Sequence, residues 1–370
     1  MKRTLLATAA ALALAAPAAA DEALLSMSWD EIVAQAQDEG TVNWFVWYFQ
    51  PQYREIAAAF TEEYGIRVVI PEGTHQGNFD KMLAERDRAT GDIDVLAIGA
   101  DRIETFDYRT MLMGPLTDVL PNAATMTDQL GGYDGDGHAW AFWGNQTGIA
   151  FDPAQIAAED LPQTLDELSA FFAAHPGRFG FNFEGGGAGP SFIQSVARNL
   201  VPDQDFTDGT LDDARVASLQ PAWDWFLDHT DGYVITASNA DSLIRISTGE
   251  FAMVAAWEDH LFNLQNQGEV DGRIAFYVPA WGAPGGGNFN VVPANAPNPA
   301  AALVFMNWVS SAEVQTRFNE IFGAAPMNSE ADDSNALVPA EQRVFSQQWV
   351  PQPLGGEITN AFIENVALER

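Results

Sequence analysis

The chain has 370 residues, with 51 acidic against 17 basic side chains and a formal net charge of −34 at pH 7. Such a surface repels nucleic acid and anionic lipid, so both are poor partners. There is no cysteine, which excludes disulfides and thiolate metal sites.

The length exceeds what a single core fills, so two lobes are expected, and a hydrophobic content of 47% is ample for both. The only lysines are Lys2 and Lys81. The acidity reads as a solubility adaptation to a salty habitat and need not describe a ligand.

In chain order, Lys2 and Arg3 precede a largely apolar run from Leu5 to Ala16, then Pro17 and Ala18-Ala19-Ala20. A basic start, about a dozen apolar residues and a small-x-small site are the ordered parts of a secretory signal peptide, with cleavage expected near Ala20/Asp21. The run is shorter than the roughly 20 residues that span a bilayer, and no later stretch qualifies.

Thr41 to Trp47 reads as a strand after Gly40, and Gln52 to Tyr64 as a helix with Ile56, Ala59 and Phe60 at helical spacing, ended by Gly65. Ile66–Ile70 is a second strand, Phe79–Arg88 a helix, and Ile93–Ile98 a third strand stopped at Gly99. This alternation predicts an α/β fold with a parallel sheet, in which ligands bind beyond the carboxyl ends of the strands.

The middle is helix-rich. Thr164 with Glu167 three residues on forms a capping box for a helix over Leu165–Ala174. Ser191–Leu200, Leu219–His229 and Asp241–Thr248 also fit helices, Phe251–Trp257 fits a buried strand, and Ala300–Ser310 and Glu313–Phe322 are helical. Gly185–Gly187 and Gly285–Gly287 read as glycine-rich segments and Pro293–Pro299 as a turn. No internal repeat is present.

Six segments occur in order: Phe60 to Val68, Gly91 to Val95, Ala139 to Asp152 (with Trp143-Gly144-Asn145-Gln146-Thr147-Gly148-Ile149), Gly249 to Trp257, Pro299 to Gln315, and Gly323 to Asn328. In this arrangement the chain resembles the extracellular solute-binding proteins of ABC importers, in the branch of the polyamine, ferric-iron and thiamine binders. The resemblance implies a two-lobe periplasmic binding protein fold of type II, with the ligand cleft between lobes. It puts lobe one at 21–145 plus 282–325 and lobe two at 146–281 plus 326–370. It further implies a monomer that closes on a small solute and delivers it to an inner-membrane permease, with no cofactor and no catalysis. Sugars, polyols and sugar phosphates lead the expected solutes, followed by organic amines and polyamines.

Several residues are candidates for the ligand site. Trp47, Tyr48, Trp143 and Trp257 could stack on a sugar face or enclose an ammonium group; the alternative for each is packing. Asp101, after the third strand, could pair with an amine, accept hydrogen bonds from sugar hydroxyls, or cap a helix. Glu258 and Asp259, after Trp257, could meet a cation or cap the next helix. By the same resemblance Ala188 and Ser191 stand where polyamine binders carry acids at this helix start, and the glycines before it, Gly187 among them, would offer backbone N–H groups to an anion or hydroxyl or simply form a tight turn, with Ser191 kept as a candidate contact. Arg102 and Arg245 read as surface ion pairs and His75 as a loop histidine. The chain has no Tyr-Tyr pair, which argues against iron. A secreted hydrolase using paired carboxylates is the rival reading, but no nucleophile elbow, zinc helix motif or P-loop is present.

Overall fold

The computed structural model describes residues 23–183, 187–339 and 341–369. The signal-peptide reading of residues 1–20, the start at Asp21, and Gly185 and Gly186 of the first glycine run lie outside the described residues.

The first lobe grows from alternating strands and helices. α1 (Trp29–Glu39) opens on a capping box between Ser28 and Glu31 and ends at Gly40, whose φ of 69° suits glycine. β1 (Thr41–Phe45), α2 (Gln50–Tyr64), β2 (Arg67–Val69), α3 (His75–Glu85) and β3 (Val95–Gly99) follow. β1 pairs in parallel with β2 on one side, Thr41 opposite Arg67, and with β3 on the other, Trp44 opposite Val95. This is the parallel sheet that the alternation predicts. A short helix, α4 (Tyr108–Met111), and a small hairpin of β4 (Gln129–Leu130) and β5 (Tyr133–Asp134) lead into β6 (Ala139–Phe151).

β6 belongs to both lobes. Its first half pairs antiparallel with β11 (Ala283–Val291) in the first lobe, and residues 147–151 pair with β9 (Met253–Trp257) in the second. The second lobe contains α5 (Leu165–Ala174), β7 (Phe179–Phe181), α6 (Ala188–Leu200), α7 (Asp213–Ala217), α8 (Gln220–Asp228), β8 (Tyr233–Ile235), α9 (Asn239–Ser247), α10 (Glu258–Asn266) and β10 (Ala275–Tyr277). The predicted capping box opens α5. After β11 the chain adds α11 (Pro299–Val309) and α12 (Ala312–Phe322) to the first lobe. It then returns to the second through β12 (Ser346–Gln347) and α13 (Leu354–Phe362). The strand order is β2-β1-β3-β11-β6-β9-β7-β8, with β10 on β6 and β12 on β11.

Each lobe has its own core. Trp44, Tyr53, Phe60, Phe142, Phe305 and Phe318 fill the first, and Phe172, Phe179, Phe181, Phe192, Phe226 and Phe362 the second. α11 has no solvent face: every residue from Ala300 to Val309 is buried, and the one polar side chain among them, Asn307, accepts from the Asn122 N–H at 2.9 Å. Among the described residues no helix is long and apolar enough to cross a membrane.

β11 is a strand where the sequence suggested only a glycine-rich stretch. Gly287 has φ 134°, and a Cβ there would lie 1.7 Å from the Trp143 carbonyl oxygen. The neighbouring strand approaches so closely that only hydrogen fits, and glycines carry no apolar–polar alternation to announce a strand.

Candidate ligand cleft

The loops after β1, β3 and β9 face each other across a cleft of about 870 Å³. The aromatic tip after β1 supplies Trp47, Tyr48 and Phe49. The turn after β3 supplies Asp101 and Arg102, and the start of α3 supplies His75 and Gln76. The second lobe contributes Phe183, Gln194, Asn239, Trp257, Asp259 and His260; Asn145, Gly287 and Asn288 come from the crossing strands. Trp349, Gln352 and Asn360 of the C-terminal segment complete the wall. A smaller groove of about 690 Å³ between α2 and α12 shares no residue with the cleft.

Side-chain contacts brace the tip. Trp47 stacks on the His75 imidazole with ring centres 4.2 Å apart. The Tyr48 hydroxyl accepts a hydrogen bond from Asn288 Nδ2 at 2.8 Å. Phe49 takes the left-handed φ of 47° and stacks on Phe322 at 4.9 Å. A bulky residue in that conformation is strained, and the packing around the ring holds it there.

Of the residues singled out from sequence, Trp47, Tyr48, Asp101 and Trp257 line the cleft together. Four others do not. Trp143 is 1% exposed and packs beneath Tyr48, its ring 5.4 Å from the tyrosine; it is a core residue of the first lobe. Gly187 precedes α6, but the first helical N–H, that of Ala188, already donates to Asn239 Oδ1 at 2.9 Å and is not free for an anion. Ser191 is buried one turn further on, its hydroxyl hydrogen-bonded to that of Thr147. Glu258 is fully buried on the far side of α10: Arg343 Nη2 donates to both carboxylate oxygens at 3.1 and 3.0 Å. One position along a helix rotates a side chain by about 100°, so the next residue, Asp259, faces the cleft instead. Arg245 pairs with Glu250 and Asp241 away from the cleft, whereas Arg102 and His75 line it.

Electrostatics divide the site. Asp259 is 5% exposed and accepts from Trp143 Nε1 at 3.0 Å, Asn145 Nδ2 at 3.2 Å and its neighbour's N–H, that of His260, at 2.8 Å. Burial pushes its pKa up, and His260 and these bonds oppose the rise. Burial also lowers the His75 pKa to about 4, with the Asp101 charge working against the shift and Arg102 with it, so the imidazole is neutral at pH 7. Arg102 donates to Gln76 Oε1 at 3.0 Å.

Trp349 and Gln352 were not legible from sequence. Trp349 stacks on Trp257 at 5.9 Å with an interplanar angle of 25°, and its one signal is an aromatic beside prolines, Pro351 and Pro353. Asn145, Gln194, Asn239 and Asn288 carry no pattern that marks them. Stacked rings, amides and two carboxylates are suited to reversible capture of a small polar molecule. Among the described residues no group of three or more His, Asp or Glu is placed to hold a metal ion.

A family model for bacterial extracellular solute-binding proteins matches residues 55–343. No curated protein matches the sequence. Among solved structures, the chain is similar to iron-bound HitA from Pseudomonas aeruginosa, with a TM-score of 0.66, 19% identity, and coverage of 88% of this chain and 99% of that one. It is similar to the spermidine/putrescine substrate-binding protein PotD from Streptococcus pneumoniae, with a TM-score of 0.64, 14% identity, and coverage of 88% and 98%. It is also similar to AfuA from Actinobacillus pleuropneumoniae with fructose-6-phosphate bound, with a TM-score of 0.62, 15% identity, and coverage of 89% and 99%. These identities show a common two-lobe fold, one that carries unlike solutes.

Proposed function

The chain belongs to the bacterial extracellular solute-binding proteins, the substrate-binding components of ABC importers and not enzymes, and from that premise we propose that its solute is a small organic cation gripped between the lobes. The observation that carries this reading is the pair of carboxylates, Asp101 from the first lobe and Asp259 from the second, on one aromatic-walled cleft. A desolvated carboxylate gains most from a charged donor, and the faces of Trp47, Trp257 and Trp349 attract an ammonium by cation–π forces. Among the described lining residues Arg102 is the one guanidinium, and His75 adds no charge.

This order of solutes reverses the one the sequence suggested. A sugar phosphate would bring a dianion beside two carboxylates, with Arg102 and the His260 imidazole as the basic side chains to offset it. A neutral sugar or polyol is the second reading, favoured by the amides of Asn145, Gln194, Asn239, Asn288 and Gln352 around the same cleft.

A melting-temperature screen of the mature protein, followed by calorimetry, tests the assignment. Spermidine, putrescine and choline form one arm; glucose, sorbitol and glucose 6-phosphate form the other. A ligand at a hundred times its Kd adds about 2.7 kcal/mol to stability, which a melting curve reads easily. Binding of an amine is expected; binding of a sugar or polyol with no response to any amine would overturn the reading.

On the same reading the lobes, about 21–145 plus 282–325 and 146–281 plus 326–370, hinge about the crossing strands β6 and β11 and close on the solute. The protein acts in the periplasm as a monomer after loss of residues 1–20, and docks in its closed form on a membrane permease. Small-angle scattering should show compaction on binding.

A further inference from the structure

We propose that Gln352 is a built-in stand-in for the solute: its side-chain amide occupies the Asp101 carboxylate in the ligand-free protein, and a solute that takes Asp101 displaces it. The proposal rests on the reading that the solute engages Asp101.

The segment that carries Gln352 is anchored in the second lobe. Val350, Leu354, Ile358 and Phe362 lie in its core, Val350 N–H donates to Gln194 Oε1 at 3.0 Å, and Arg198 Nη2 donates to the Gln348 carbonyl at 2.6 Å. From that anchorage it reaches the first lobe twice. The Tyr133 hydroxyl donates to the Trp349 carbonyl at 2.9 Å, and Gln352 Nε2 donates to Asp101 Oδ2 at 3.4 Å.

The direction of the amide is set by its other end. Gly356 N–H donates to Gln352 Oε1 at 3.1 Å. A backbone N–H can only donate, so that end of the side chain is the oxygen and the NH2 group points to Asp101. Asp101 makes no ion pair among the described residues. Its partner from across the cleft is therefore a neutral amide at the long end of hydrogen-bond range, weaker than the charged donor it stands in for. A contact of this kind keeps the carboxylate partnered when the cleft is empty and yields to an ammonium. A solute without a donor for Asp101 gains nothing by evicting it, so Gln352 also acts as a filter.

The test is a thermodynamic cycle read by calorimetry with spermidine on the wild type, Gln352→Met, Asp101→Leu and the double variant. Methionine keeps the length of the side chain and removes its donor. Releasing one hydrogen bond of ordinary net strength should tighten spermidine by roughly three- to tenfold, and the gain should vanish in the Asp101→Leu background, where Gln352 has no acceptor to hold. Unchanged or weaker binding by Gln352→Met, or the same change in both backgrounds, would overturn the proposal.

A ligand-free arm separates this idea from the choice of solute. Hydrogen exchange over residues 348–356 should speed up in Asp101→Leu, which has no acceptor, without any ligand if the contact holds the segment; unaltered exchange would sink the proposal. If spermidine fails to bind the wild type, the cation reading falls, and the exchange result still decides whether Gln352 holds Asp101.

Discussion

Replacing Glu258 by glutamine should make the protein's stability less sensitive to alkali. The Glu258 carboxyl is fully buried, and burial pushes its pKa from 4.5 up to about 8, with Arg343 pulling the other way and Asp259 adding to the rise. At about 1.4 kcal/mol per pH unit, that separation amounts to roughly 5 kcal/mol. Below pH 4.5 the group is protonated in both states and contributes nothing. Between pH 4.5 and 8 the unfolded chain releases the proton while the folded chain keeps it, so folding stability falls as pH rises. Above pH 8 the loss is complete. Glutamine cannot ionise, yet it can still accept from the Val338 N–H that now donates to Glu258 Oε2 at 3.2 Å. Urea unfolding of wild type and Glu258→Gln at intervals from pH 5 to 8.5 isolates this group, because repulsion among the other acids is common to both proteins. The stability of the variant relative to wild type should rise across that range by several kcal/mol. A difference independent of pH, or one of opposite slope, would refute the reasoning and mean that the ion pair with Arg343 outweighs desolvation. Solute affinity should not change, since Glu258 lies outside the cleft.

Other outcomes follow from the same geometry. Trp257→Ala should weaken binding of a cationic solute about tenfold by calorimetry, within the roughly 0.5–2 kcal/mol of a cation–π contact; full affinity would remove Trp257 from the site. Gly287→Ala should lower stability to urea by more than about 3 kcal/mol, because its Cβ would meet the Trp143 carbonyl. Gly268→Ala, at φ 75° in open space, should cost only about 1 kcal/mol, and equal losses would contradict the close approach of β6 and β11. The His75 imidazole resonances should not titrate above pH 5.5, as its pKa is lowered to about 4. Because the unfolded chain binds that proton up to about pH 6.5, His75 makes stability rise with pH between 4 and 6.5. An NMR inflection near 6.5 would show the ring to be solvated.

The periodic parts of the fold were legible. The alternating run from Thr41 to Gly99 emerges as the parallel β2-β1-β3 sheet, and the capping box at Thr164 opens α5 where expected. β11 escaped notice because Gly285 to Gly287 carry no side-chain pattern, and only the β6 backbone beside them explains why they are glycines. In the cleft, Trp47, Tyr48, Asp101 and Trp257 were found because they follow strands, where the chain must turn at the sheet's edge. Glu258 and Asp259 could not be told apart in the sequence because adjacent acids at a helix start differ in facing, not in chemistry, and only Asp259 lines the cleft. Trp349 and Gln352 arrive from the far end of the chain, and long-range return leaves no local signal. Trp143 shows the limit of residue type: an aromatic at a strand crossing can equally be the plug beneath the site.

The interleaving of the lobes governs when this protein can fold. The first lobe begins with α1, but Trp44 and Phe60 acquire their partners Phe305 and Trp308 only once α11 exists, with ring centres 5.1 and 5.3 Å apart. The second lobe waits longer still, for Phe362 to meet Phe226 at 4.9 Å. A nascent chain stopped before Pro299 leaves large apolar faces of the opening half uncovered, with no finished body to hide them. Neither core can close before its late helices exist, so the chain lacks a finished apolar interior over most of its length.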